Sequence, residues 1–264
     1  MRGKKENNEN NIRAKRLTDY ILKLSKEKAD KSFLLLFVQG LLAGMYISIG
    51  AIAYLKVSAS ITEPGLGAFL GALVFPFGII AVLIMQAELF TSDCMVMTAV
   101  YARRTSIHKI FRILGIIFIS NIIACMAFAF LTNISGIFNS DTIELVSNLA
   151  MKKAHMPFGQ LLISGILCNI IVCTGVCLSY SCQDEMAKIA ILWLSIAVFT
   201  ISGTEHVIAN AYYLFTAYFA GAIISLLDIL YNLLVSGLGN FIGGGIIVSA
   251  ANYILAYKDK SNPN

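Results

Sequence analysis

The chain has 264 residues, 58% of them hydrophobic and 13% charged, with a formal net charge of +5. A soluble domain carries about 25% charged residues, so this composition excludes a water-soluble globule, which would need those charges on its surface. Uncharged runs at 33–55, 65–87, 113–140 and 156–183 each reach the roughly 20 residues that cross a bilayer, and an all-α membrane protein is expected.

Residues 1–32 hold ten Lys or Arg against five acids, and this polar, basic start is not the apolar core of a secretory signal peptide. Within it Leu17, Tyr20, Ile21 and Leu24 recur at helical spacing beside Lys15, Arg16, Lys23 and Lys26. The pattern predicts an amphipathic helix that anchors on an anionic leaflet or folds over a pore mouth. Six spans are expected after it: about 33–55, 65–102 with a break, 113–132, 157–180, 188–219 with a break, and 238–257. The membrane domain is then 33–257, followed by a tail at 258–264. The segment at about 220–237 reads as partly buried and external. A seventh span there would carry the C-terminal lysines outside and leave 189–204 too short to cross. In this arrangement 17 of the 20 Lys and Arg lie on the side of the termini, and only Lys56, Lys152 and Lys153 lie opposite. The positive-inside rule then puts both termini in the cytoplasm and the chain in the cell (inner) membrane.

The second and fifth spans are interrupted without loop-like composition, at Ala87-Glu88-Leu89-Phe90-Thr91-Ser92-Asp93 and at Ser202-Gly203-Thr204-Glu205-His206. Non-helical backbone at membrane depth persists only where protein or a water-filled cavity satisfies it. Breaks at matching positions of two halves point to a transport site near the midplane. Two three-span halves that both begin and end as these do must be inverted relative to each other. Asn121 in the third span and Asn240 in the sixth echo one another. A broken helix exposes N–H groups and partial positive charge at the start of its second half, so two such ends facing one cavity make an anion site. His206 donates a hydrogen bond when neutral and offsets charge, or passes a proton, when protonated; the alternative is a buried histidine that ties down the break. Glu88 and Glu205 are expected to accept bonds from freed backbone or to stay protonated. Thr91 either offers its hydroxyl to the ion or caps the following half-helix. Lys152 and Lys153 either concentrate anions outside or belong to a solvated loop. The six cysteines form no C-x-x-C pair and read as small apolar fillers. There is no Gly-x-Ser-x-Gly and no His-Glu-x-x-His, so no enzyme activity, metal or cofactor is expected.

At these residues the chain resembles the formate/nitrite transporter family. The resemblance runs from about residue 33 to 257 and rests on Ala43-Gly44-Met45-Tyr46-Ile47-Ser48-Ile49, Ala87-Glu88-Leu89-Phe90-Thr91-Ser92, Leu167-Cys168-Asn169, Ser202-Gly203-Thr204-Glu205-His206-Val207-Ile208-Ala209-Asn210 and Gly239-Asn240. It implies an aquaporin-like protomer in a homopentamer, each protomer with its own pore in the lipid bilayer. It implies His206 as the central histidine and Thr91 as the threonine of the second-span loop. Apolar constrictions would come from Leu89, Phe90, Phe75 and Phe199, with Ile79 where the formate channel has leucine. Lys153 would be the lysine of the external vestibule, and Asn169 and Asn210 would bond around the centre. Thr204 stands where relatives often have an aromatic, and the segment after the fifth span looks more like that of nitrite or hydrosulfide members than that of the formate channel. The function implied is passage of small monovalent anions of weak acids, namely formate, nitrite or hydrosulfide, with no nucleic-acid partner. A pore for small neutral solutes is the alternative, although Asn-Pro-Ala repeats are absent.

Overall fold

The computed structural model describes the backbone of residues 2–257 and the side chains of residues 13–257; the expected tail at 258–264 lies outside the described residues. Among the described residues every regular element is helical. Helix α1 spans Arg2–Asp30 and α2 spans Phe33–Ala59, whose start is capped by the Ser32 hydroxyl. The Glu63 carboxylate caps α3 (Pro64–Val74), which carries proline in its first turn where no N–H is needed. Helix α4 (Phe77–Ile84) follows directly. The backbone is non-helical at 85–89 and winds again as α5 (Phe90–Asp93), a 3₁₀ turn (Cys94–Val96) and α6 (Met97–Tyr101). Helix α7 covers Ile107–Ile134, α8 Ser140–Ala154 and α9 Phe158–Ser181. Helix α10 (Glu185–Ile201) is separated from α11 (Val207–Phe219) by non-helical residues 202–206. The last run is α12 (Leu226–Phe241), a π-helical stretch (Ile242–Val248) and α13 (Ser249–Tyr257).

Among the described residues five helical runs are long and apolar enough to cross a membrane: Phe33–Ala59, Pro64–Ile84, Ile107–Ile134, Phe158–Ser181 and Leu226–Tyr257. Large apolar side chains remain exposed around the bundle, among them Leu34, Phe77, Ile119, Leu227 and Leu255. Such a surface is stable against lipid and costly against water, so the chain is a multi-pass membrane protein.

Three features differ from expectation. The last helical run begins at Leu226, twelve residues before the expected span at 238, so 220–237 is mostly helix and not external loop. The cause is a capping box: Ser225 and Asp228 each bond the other's backbone N–H and start the helix there. Helix α8 was missed because its four charged residues hide the i, i+4 stripe of Thr142, Val146, Ala150 and Ala154 that it buries. Finally, α1 uses its apolar stripe on the chain itself. Ile21 is buried, the Thr18 hydroxyl donates to the Asn252 carbonyl at 3.1 Å, and Tyr20 meets Tyr180 at 5.0 Å between ring centroids.

Helices α2 and α7 cross closely, as do α9 and α12. A Cβ on Gly44 would stand 2.4 Å from the Asn121 carbonyl oxygen, and one on Gly239 would stand 2.5 Å from that of Leu162. Only glycine permits backbones this near. These crossings bring Asn121 and Asn240 against the two interruptions.

Candidate functional site

At the first interruption α4 ends in a Schellman motif. Gln86 adopts φ +54°, and the Ala87 amide donates back to the Val82 carbonyl at 2.9 Å. At the second, Gly203 takes the same left-handed conformation after α10, with φ +65°. Each helical segment that follows begins on an amide held by an asparagine. The Phe90 N–H donates to Asn121 Oδ1 at 2.9 Å, and the Val207 N–H donates to Asn240 Oδ1 at 2.9 Å. Asn121 Nδ2 in turn donates to the carbonyls of Gly40 and Glu88, and Asn240 Nδ2 to those of Gly165 and Glu205. Each side chain thus fastens an interruption to the helix crossing beside it.

The two interruptions meet at Thr91 and His206. Thr91 Oγ1 lies 3.0 Å from His206 Nε2, and both residues are buried. His206 caps α11 with its ring: Nδ1 accepts the Ala209 N–H at 3.1 Å. An acceptor Nδ1 leaves the proton of the neutral ring on Nε2, so Nε2 donates to the Thr91 oxygen and the Thr91 hydroxyl proton is free to point elsewhere. A doubly protonated ring would lose the Ala209 bond. The geometry therefore holds His206 neutral, and the expected proton-passing role requires that cap to open first. By helix geometry the first-turn amides of Thr91, Ser92 and Ile208 have no intrahelical acceptor, which leaves these donors open beside the Thr91–His206 contact.

Aromatic side chains approach from one side. Phe199 lies 5.5 Å from the His206 ring and 6.0 Å from Phe75, and Tyr54 follows at 6.5 Å from Phe75. On the α5 side Phe90 packs edge-on against Phe118 at 4.8 Å. Leu89, Ile79, Phe75, Phe90 and Phe199 are all buried. Asn169 Nδ2 donates to the Thr91 carbonyl at 3.0 Å and to the Asn240 carbonyl at 2.6 Å.

The formate/nitrite transporter family profile matches residues 15–254. The chain belongs to the formate/nitrite transporter family. It is 34% identical over 233 residues to the uncharacterized transporter YrhG of Bacillus subtilis (strain 168), covering 86% of this chain and 87% of that one. It is 27% identical over 250 residues to the formate channel BtFdhC of Bacillus thuringiensis, covering 93% of this chain and 96% of that one. Its fold is similar to that of a pentameric formate channel with formate bound, with a TM-score of 0.73 and 24% identity over 84% of this chain and 97% of that one. A formate/nitrite transporter family channel is not an enzyme, and the alternative of a neutral-solute pore gains no support from these relatives.

In this formate/nitrite transporter family chain the two glutamates do not take the first of the two roles expected of them, bonding freed backbone. Neither carboxylate accepts from backbone amides. Glu205 takes Lys153 at 2.9 Å on each oxygen and Asn210 at 2.6 Å. Glu88 takes Lys31 at 2.6 Å, while asparagines hold the freed backbone. Lys153 is correspondingly tied down, its side chain 12% exposed, so it is not a loose vestibule cation; Lys152 beside it is exposed. Asn210 also donates to Asn232 Oδ1 at 2.9 Å, so it bonds at the glutamate and not at the histidine.

Sequence reading missed Gln39, Asn232, Lys28 and Lys31. Gln39 accepts the Glu88 N–H at its carbonyl and donates from its side chain to the Gln86 carbonyl at 2.7 Å. Asn232 donates to the Lys153 carbonyl at 2.8 Å. Both are single amides among apolar neighbours, a signal that could have found them. The two lysines were masked by the many basic residues around them.

Proposed function

We propose that this chain is a channel for small monovalent anions of weak acids, formate, nitrite or hydrosulfide, with Thr91 and His206 as its selective centre. The observation that carries the reading is the 3.0 Å contact between Thr91 Oγ1 and His206 Nε2 where the two interruptions meet. Neutral His206 orients the Thr91 hydroxyl as a donor, and a partly dehydrated anion accepts from it and from the open amides of the adjoining turns. A buried donor aimed at an anion contributes about 1.5–3 kcal/mol, which offsets part of the cost of removing water from the ion. Phe75, Phe199, Leu89, Phe90 and Ile79 form apolar constrictions on either side, excluding hydrated ions. Asn121 and Asn240 support the interruptions; Asn169 positions Thr91; Lys153, Glu205 and Asn210 set the outer end, and Glu88 the inner.

In this reading α10 and α11 complete a sixth, broken crossing, Pro64–Tyr101 is the second, and the chain is two inverted three-span repeats with an aquaporin-like course. The matched bonds of Asn121 and Asn240 support that symmetry. A homopentamer in the cell (inner) membrane, with both termini cytoplasmic, agrees with the exposed apolar flanks, the charge bias and the described state of the similar formate channel. Formate is favoured first by the 27% identity to BtFdhC.

Stopped-flow uptake by proteoliposomes, comparing formate, nitrite and hydrosulfide, tests the proposal. Thr91→Val and His206→Asn should each lower flux about tenfold or more, since a lost bond of about 1.4 kcal/mol is a factor of ten. Unchanged flux in both variants would remove the centre from the pathway.

A further inference from the structure

Glu88 and Asp93 flank the turn that carries Thr91, and both are buried. Lys28 of α1 hydrogen-bonds Asp93 Oδ1. Its Nζ also lies 2.5 Å from Glu88 Oε2. Lys31 donates to Glu88 Oε1 at 2.6 Å. The remaining oxygen, Asp93 Oδ2, is buried with no hydrogen-bond partner among the described residues. Both carboxyl groups contact the same Lys28 ammonium, which places them side by side.

Two adjacent ionised carboxylates are acceptor-only groups, so neither can satisfy the other, and their like charges repel. A buried acceptor without a donor carries its full desolvation cost. One proton removes both problems. The protonated acid becomes the donor and the other carboxylate its acceptor, and two groups coupled this closely titrate as a unit.

We propose that Glu88 and Asp93 bind one proton between them, forming a proton site beneath α1 that is separate from His206. Protons reach it from a cavity of about 570 Å³ whose wall includes Lys28, Lys31, Glu88, Tyr180 and Lys188. The charged or titratable groups facing the pair are Lys28 from α1 and Lys31 just after it, Tyr180 from α9, and Cys94 on the pair's own segment. With the proton bound, the two lysines face a single carboxylate charge and the cavity floor is positive by one. Without it, the four charges cancel. Under the proposed anion conduction, which this consequence alone requires, an anion entering from the cavity is met by positive charge only while the pair holds its proton.

Infrared spectroscopy of the full chain in lipid vesicles, in water and in heavy water at neutral pH, reads the proton directly. The wild type should show a deuterium-sensitive carboxylic-acid C=O band, and both Asp93→Asn and Glu88→Gln should lose it. No such band in the wild type would overturn the proposal. So would its survival in either variant, since the proton would then belong to one residue. The spectrum does not read flux, so failure here and failure of anion conduction are distinguishable.

Discussion

Asn121 and Asn240 do equivalent work at the two interruptions, each satisfying one amide and two carbonyls. Replacing either with alanine leaves one amide and one carbonyl of the interruption without this partner, each costing about 1–3 kcal/mol, while the Gly40 or Gly165 carbonyl keeps its helical bond. Asn240→Ala and Asn121→Ala should each destabilise the protein by about 2–5 kcal/mol, read as unfolding in detergent. A loss below about 1 kcal/mol in both would mean that water, and not the amide side chain, holds the interruptions. These residues were legible in the sequence because they recur at matching places in the third and sixth expected spans. Their partners were not, because those depend on where α2 meets α7 and where α9 meets α12. The glutamates mark the same limit: Glu88 in an apolar run announces a bound partner, yet Lys31 stands 57 residues away in sequence.

Among the elements, α1 packs on the chain itself, one of the two targets its sequence left open. Its apolar stripe gave the helix but not its target, since a lipid surface and a helix bundle bury the same residues. Lys28 decides the matter. Burial disfavours its charge, but Asp93 and then Glu88 outweigh that and push its pKa above the ordinary lysine value. A raised folded-state pKa means the contribution is complete below the unfolded value and is lost only as pH rises through the folded one. Titration of Lys28 should therefore not release α1 between pH 7 and about 9. Limited proteolysis should leave α1 intact across that range in the wild type and cut it at neutral pH in Lys28→Ala. Equal cleavage of both proteins would show that the lysine does not hold the helix. The spans themselves were plain from uncharged length. The start of the last one was not, because the Ser225–Asp228 cap that sets it leaves no mark in hydropathy.

For the whole molecule, composition alone gave the class, and the charge bias predicts an orientation that can be checked. Of the six cysteines, five are buried, and Cys182 at the end of α9 is partly exposed. A membrane-impermeant thiol reagent should label only Cys182, and only from the cytoplasmic side. Labelling from the outer side of intact cells would reverse the topology.

The lysines that hold the glutamates have a bearing on how the chain is built. Lys31 sits between α1 and α2 and reaches Glu88; Lys153 sits near the end of α8, just ahead of α9, and reaches Glu205. Each glutamate therefore takes its cation from the chain just ahead of the helices that carry it, and both clamps close without crossing the link at 135–139. A cut in that link leaves each lysine with its glutamate, whereas the Thr91 contacts with Asn169 and His206 must form between the fragments.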